Sequence, residues 1–123
     1  MKTILIVDDH ADIRRLIRMT LEFEDYRIHE AADGDAALAF VKDQRPDVVL
    51  LDVMMPGSVD GLEVCRRMRA DPALEGVQII VLSARGQSAD REAGLQAGAD
   101  AYLVKPFSPL QLIELLAALL QPA

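Results

Sequence analysis

Four uninterrupted apolar runs punctuate the chain: Ile4–Val7, Val48–Leu51, Ile79–Leu82 and Ala101–Val104. None alternates between apolar and polar positions, which is the pattern of parallel strands buried on both faces. A fifth segment, Arg27–Ala31, does alternate, and predicts an exposed edge strand. Between the runs the period becomes helical. In the first helix Ile13, Leu16, Ile17 and Leu21 share one face, and Arg14, Arg15 and Arg18 take the other. A second helix is predicted over about Asp35–Asp43, closed by Pro46. The third begins at Asp60, with Glu63 three residues later in a capping-box arrangement. The fourth occupies about Ser88–Ala97 and ends at Gly98, a natural C-cap. The fifth starts with Ser108 as N-cap, Pro109 at the first helical position and Gln111 completing the box.

Strict alternation of strand and helix predicts an α/β layer fold, helices covering both faces of a five-stranded parallel sheet. With the second strand at an edge, the doubly wound order is 2-1-3-4-5. No linker, low-complexity tract or long-period repeat interrupts the pattern, and 123 residues suit one domain, residues 1–123. Ligands of such sheets bind beyond the carboxyl ends of the strands, where the winding reverses between strands 1 and 3.

Composition narrows the partners. A net charge of −7 argues against direct nucleic-acid binding, which needs a basic face. No apolar run approaches the ~18 residues of a membrane span, and two aspartates cut short the first run, so no signal-peptide core is present. The single cysteine, Cys65, allows no internal disulfide and reads as a core or half-buried thiol. A cytoplasmic location is predicted.

Each buried strand ends in a polar group: Asp8 and Asp9 after the first, Asp52 after the third, Ser83 after the fourth, Lys105 after the fifth. The fold gathers them at one sheet edge. Two unit charges ~4 Å apart repel by about 4 kcal/mol at an effective dielectric of 20, and Lys105 supplies one positive charge against three negative ones. A divalent cation is the simplest offset, and all-oxygen ligation favours Mg²⁺ or a similar hard ion. Such a site suits phosphate oxygens, and a carboxylate can itself be the nucleophile that forms an aspartyl phosphate. Asp52, alone opposite the acidic pair, is the natural acceptor, with Lys105 and Ser83 on the phosphoryl oxygens. Blander readings exist for each: Asp8-Asp9 as strand end and helix cap, Ser83 as a strand terminator, Lys105 as a surface lysine, Tyr102 as core. His10 and His29 read as a loop and an edge-strand residue, with no metal spacing around them.

The stretches Ile6-Val7-Asp8-Asp9, Leu50-Leu51-Asp52-Val53-Met54-Met55-Pro56-Gly57, Val81-Leu82-Ser83-Ala84 and Tyr102-Leu103-Val104-Lys105-Pro106-Phe107 resemble the receiver domains of bacterial response regulators. The resemblance spans the whole chain, in order and spacing. It implies the flavodoxin-like (βα)5 fold, of which the chemotaxis receiver is itself a known example. It implies that Asp52 is the phosphoacceptor, that Asp9 and Asp52 ligate Mg²⁺ directly and Asp8 mainly through water, and that the Met54 backbone carbonyl is a further ligand. Ser83 would reorient to the phosphoryl group, Lys105 pair with it, and Tyr102 follow Ser83 inward. The Lys105–Pro106 bond would be cis. The donor would be a phosphohistidine on a sensor histidine kinase or histidine phosphotransfer protein. The domain would assist its own phosphorylation and dephosphorylation as a signalling module, not as an enzyme.

Output is expected through the face of helix 4, strand 5 and helix 5, to a downstream effector or as a homodimer, since the leucines of the fifth helix cover more than one face. With no effector domain after Ala123, output would be by docking, unless the chain is a piece of a larger protein. One departure stands out: the loop Pro56–Gly61 looks one residue longer than the commonest form. Met54 and Arg85 fill positions that vary among receivers. Rival readings are a degenerate receiver used only for docking, and a metal-dependent phosphohydrolase, whose aspartates would stand two apart rather than adjacent. A flavin-binding module would need a hydroxyl- and glycine-rich loop where Asp8-Asp9-His10-Ala11-Asp12 stands.

Overall fold

The computed structural model describes residues 1–55, 59–83 and 88–120, for 88–90 the backbone alone. Five strands, β1 (Lys2–Val7), β2 (Tyr26–Ala31), β3 (Val48–Asp52), β4 (Gln78–Ser83) and β5 (Ala101–Val104), alternate with five helices. These are α1 (Ala11–Thr20), α2 (Gly34–Gln44), α3 (Gly61–Ala70), α4 (Ser88–Gln96) and α5 (Pro109–Leu119). All pairings are parallel and the order is β2-β1-β3-β4-β5. The doubly wound prediction therefore holds in both order and direction.

The uninterrupted apolar runs follow from this layering, because alternate residues of one strand enter different cores. Leu5, Val7, Val49, Leu51, Ile79 and Val81 pack with Val41 of α2 and with Val64, Cys65 and Met68 of α3. Ile4, Ile6, Val48, Leu50, Ile80 and Leu82 pack with Ile17 of α1 and with Leu112 and Leu116 of α5. Burying each such side chain contributes about 1.5–3 kcal/mol, so the register is strongly specified; a slip by one residue would exchange the two sets.

Four expectations change. β5 packs against both cores, Tyr102 on one face and Ala101 and Leu103 on the other, but as an edge strand its four residues are only half-buried. Leu16 does not join the apolar face of α1; it is 56% exposed, while Ile17 and Leu21 are fully buried. At α3, Asp60 is the N-cap and its carboxylate accepts from the Glu63 N–H at 2.9 Å. The reciprocal half of that box is missing, because the Glu63 carboxylate is taken by Arg66 and Arg67. A short 3-10 turn, Pro72–Leu74, stands where the hydrophobic pattern predicts no element. The box at Ser108 and Gln111 is complete. Gly98 stands at φ +105°, a conformation that favours glycine, and α2 stops at Arg45, whose φ is +46°. The Lys105–Pro106 peptide is cis.

Cys65 is fully buried and its thiol donates to the Ala97 carbonyl at 3.3 Å. Burial pushes the thiol up to about 11, so it behaves as core. Among the described residues no helix is long and apolar enough to cross a membrane. The loop expected to be one residue longer lies in part, at residues 56–58, outside the described residues, as does Arg85.

Candidate phosphoryl and metal site

β1 and β3 are neighbours whose registers align Val7 with Leu51. The residues just past those positions, Asp8 and Asp52, therefore emerge side by side at the winding reversal. β4 and β5 bring Ser83 and Lys105 to the same edge, where the Lys105 N–H extends the ladder to the Ser83 carbonyl at 2.7 Å. Asp8, Asp52 and Ser83 are the buried polar residues among those described.

Lys105 Nζ donates to Asp8 Oδ2 at 2.7 Å and lies 3.7 Å from Asp52 Oδ2. Asp8 Oδ1 accepts from the His10 N–H at 2.9 Å. Asp52 Oδ1 accepts from the Met54 N–H at 3.0 Å, which curls the chain just after β3 and places Met54 at the rim, half exposed. Asp9 differs: its buried Oδ1 has no hydrogen-bond partner. The His10 ring Nδ1 lies 3.3 Å away, near enough for an ionic contact but without hydrogen-bond geometry. A cleft of about 290 Å³ over these groups is lined by His10, Ile13, Asp52, Met54 and Lys105.

Potential ligand atoms of Asp8, Asp9, His10 and Asp52 all lie within 4.8 Å of one another. An orphaned buried carboxylate oxygen and two further carboxylates, offset by a single lysine, form an oxygen donor set that fits a hard divalent cation. His10 is the residue that sequence reasoning missed. It is a loop residue, as expected, at the N-cap of α1, and its ring nitrogen stands 3.2 Å from Asp8 Oδ1. No spacing rule would have found it; the turn after β1 places it.

Burial raises the Asp52 carboxyl above the usual carboxylate range, with Asp8 and Asp9 adding to the effect and the Met54 N–H and Lys105 opposing it. A group whose folded value is raised holds its proton more tightly when folded. Its contribution to stability is thus lost as pH rises from the unfolded value, about 3.9, through the raised folded value. Asp52→Asn removes that liability. In chelator at neutral pH the variant is expected to be more stable than the parent by on the order of 1 kcal/mol, the gap closing as pH falls through this window. Urea unfolding of both proteins from pH 7 to pH 4 reads the effect; a gap that widens on acidification contradicts the assignment.

A parallel sheet in this order, with aspartates and one lysine collected at its switch point, defines the class of CheY-like receiver folds. The chain belongs to the response regulator receiver domain family, whose sequence profile matches residues 4–117. It is 51% identical over 120 residues to the transcriptional regulatory protein ResD of Bacillus subtilis, covering 98% of this chain and 48% of that protein. The chain spans about half the length of the curated relatives it matches. Among solved structures, the chemotaxis protein CheY4 of Vibrio cholerae superposes with a TM-score of 0.90 at 34% identity, over 98% of this chain and 99% of that one. The receiver domain of the sensor histidine kinase PA1611 of Pseudomonas aeruginosa, with a magnesium ion coordinated in its active-site cleft, gives 0.87 at 36%, over 95% of each chain. The chain is a receiver domain of the two-component type, a signalling domain with an acidic group that could hold a metal ion.

Proposed function

We propose that residues 1–123 act as one receiver that accepts a phosphoryl group on Asp52 from a phosphohistidine donor, with Mg²⁺ bound beside it. The observation that carries this reading is the gathering of the buried Asp52 carboxylate with Asp8 and Asp9, ligand atoms within 4.8 Å of one another, and one Asp9 oxygen left without a hydrogen bond. Asp9, Asp52 and the Met54 carbonyl would hold the ion directly, and Asp8 through water. When bound, Mg²⁺ would neutralise charge on the carboxylates and on phosphate oxygens.

The chain's own groups do the rest. Asp52 presents one carboxylate oxygen to the phosphorus while the Met54 N–H holds the other. As the new P–O bond forms, the P–N bond of the donor breaks and its electron pair leaves on the imidazole nitrogen. Lys105, already between Asp8 and Asp52, is placed to follow the phosphoryl oxygens. Ser83, buried one strand away, is a second contact. Tyr102 is half-buried, with the Arg91 guanidinium 5.7 Å from its ring centre, so an inward turn would break that cation–π contact.

The donor would be a sensor histidine kinase or a histidine phosphotransfer protein, and the setting cytoplasmic. Output would run through α4, β5 and α5. On α5, Leu110 is 61% exposed, and Ile113, Leu115, Leu119 and Leu120 are only partly covered, which suits docking of an effector or a second copy.

Acetyl phosphate with Mg²⁺ should label the protein on the peptide carrying Asp52, and chelator should abolish the label. Peptide mapping of parent and Asp52→Asn by mass spectrometry decides it. Undiminished label in the variant would remove Asp52 from this role.

A further inference from the structure

The backbone of Asp8 is tied as firmly as its side chain. Its N–H donates to the Ala31 carbonyl at 3.2 Å, and its carbonyl accepts from Arg14 Nη1 at 2.7 Å. Arg14 reaches back from α1, with its side chain 17% exposed. Its Nε donates to Glu30 Oε1 on β2 at 3.0 Å. The other Glu30 oxygen accepts from Arg18 Nε at 2.8 Å, and Arg18 Nη2 reaches the Ile28 carbonyl at 3.3 Å. Both arginines bind Glu30, but only Arg14 touches the turn that carries the acidic pair.

We propose that Arg14, oriented by Glu30, is the positioning residue that aims the Asp9 carboxylate into the cleft. The Asp8 carbonyl and the Asp9 nitrogen belong to one planar peptide unit. Fixing its oxygen on a guanidinium fixes the plane from which Asp9 departs, and so narrows the directions its side chain can take. Asp8 does not depend on such help, because Lys105 and the His10 N–H hold its carboxylate directly. Asp9 Oδ1 has no hydrogen bond to hold it, only the His10 ring nitrogen 3.3 Å away, so its aim depends on the backbone. A rigid fork that meets a carbonyl and a carboxylate at once is what arginine supplies and lysine does not.

This inference rests on the divalent-cation reading of the acidic group, and charge gives it a clean test. Arg14→Met removes a positive charge near the site, which by Coulomb's law alone would tighten cation binding. Loss of positioning has the opposite sign. Titration calorimetry with Mg²⁺ on the folded chain should give a Kd raised about fivefold or more in Arg14→Met. Arg18→Met removes the same charge and the same Glu30 partner, and should stay within twofold of the parent.

Equal or tighter binding in Arg14→Met overturns the proposal. So does equal weakening in both variants, which would mean that the clamp acts only through stability. A parent that binds no Mg²⁺ overturns the cation reading itself, and this proposal with it; the parent titration separates that outcome from the others. If Arg14→Met does not fold, Arg14→Lys keeps the charge but cannot span both partners. It should weaken Mg²⁺ at least threefold, and unchanged affinity there overturns the assignment.

Discussion

Lys105→Met is expected to slow phosphoryl transfer to Asp52 by roughly a hundredfold, in the range found when one charge-stabilising donor is removed from a transition state, while Mg²⁺ binds as tightly as before or more so. The two signs differ because the ammonium does two things. Its Nζ sits 2.7 Å from Asp8 and 3.7 Å from Asp52, so it occupies part of the field that a cation would feel. Removing it takes away a like charge, and affinity should rise a few-fold. The phosphoryl group loses its cationic partner at the same time. In chelator the variant should also be less stable by about 3 kcal/mol, because Asp8 is fully buried and loses its ion pair. Mg²⁺ at a hundred times its Kd would restore about 2.7 kcal/mol. Calorimetric titration, labelling with acetyl phosphate and urea melts with and without Mg²⁺ read the three effects separately. Metal affinity that falls in step with labelling would make Lys105 a support of the metal site instead of a phosphoryl partner.

The sequence carried the sheet because its signals were of one kind. Runs such as Ile4–Val7 and Val48–Leu51 bury every residue, and alternation marked β2 as an edge. The same logic failed at β5, where Ala101–Val104 is as apolar as the central strands but has a neighbour on one side only. Apolar content reports what can be buried, not how many neighbours arrive to bury it. Leu16 fails for a related reason: it sits one position off the stripe of Ile13, Ile17 and Leu21, on a helix whose stripe is narrow. The site was legible where it depends on strand ends, since Asp8, Asp52, Ser83 and Lys105 come together through sheet order. It was illegible where it depends on turns. His10 meets the carboxylates because its own N–H is captured by Asp8, and Arg14 because a helix turn brings its guanidinium over the Asp8 carbonyl. Neither relation follows from spacing.

The approach of α3 to the end of β3 gives the second large effect. Gly61→Ala is expected to destabilise the fold by about 3 kcal/mol, at the upper end of overpacking losses. A Cβ on Gly61 would stand 2.1 Å from the Asp52 carbonyl oxygen, 2.6 Å from Val53 Cα and 2.8 Å from the Asp52 carbonyl carbon. All three are backbone atoms, so no side chain can rotate away. The difficulty is space, not backbone conformation. Gly61 begins α3 under the Asp60 cap, where the ~1 kcal/mol helix preference for alanine over glycine is too small to compensate. Relief requires the start of α3 or the end of β3 to move, and the end of β3 is the peptide of Asp52 itself. Mg²⁺ affinity should therefore fall together with stability, because the displaced carbonyl shares its residue with the acceptor carboxylate. Gly76→Ala is the matched control: nothing lies within 4 Å of its Cβ, so it should be neutral or slightly stabilising through the unfolded chain. Urea unfolding of the two variants, with and without Mg²⁺, measures both. A Gly61→Ala protein within 1 kcal/mol of its parent would mean that α3 can withdraw from β3 without strain, and that Asp52 is held by the sheet alone.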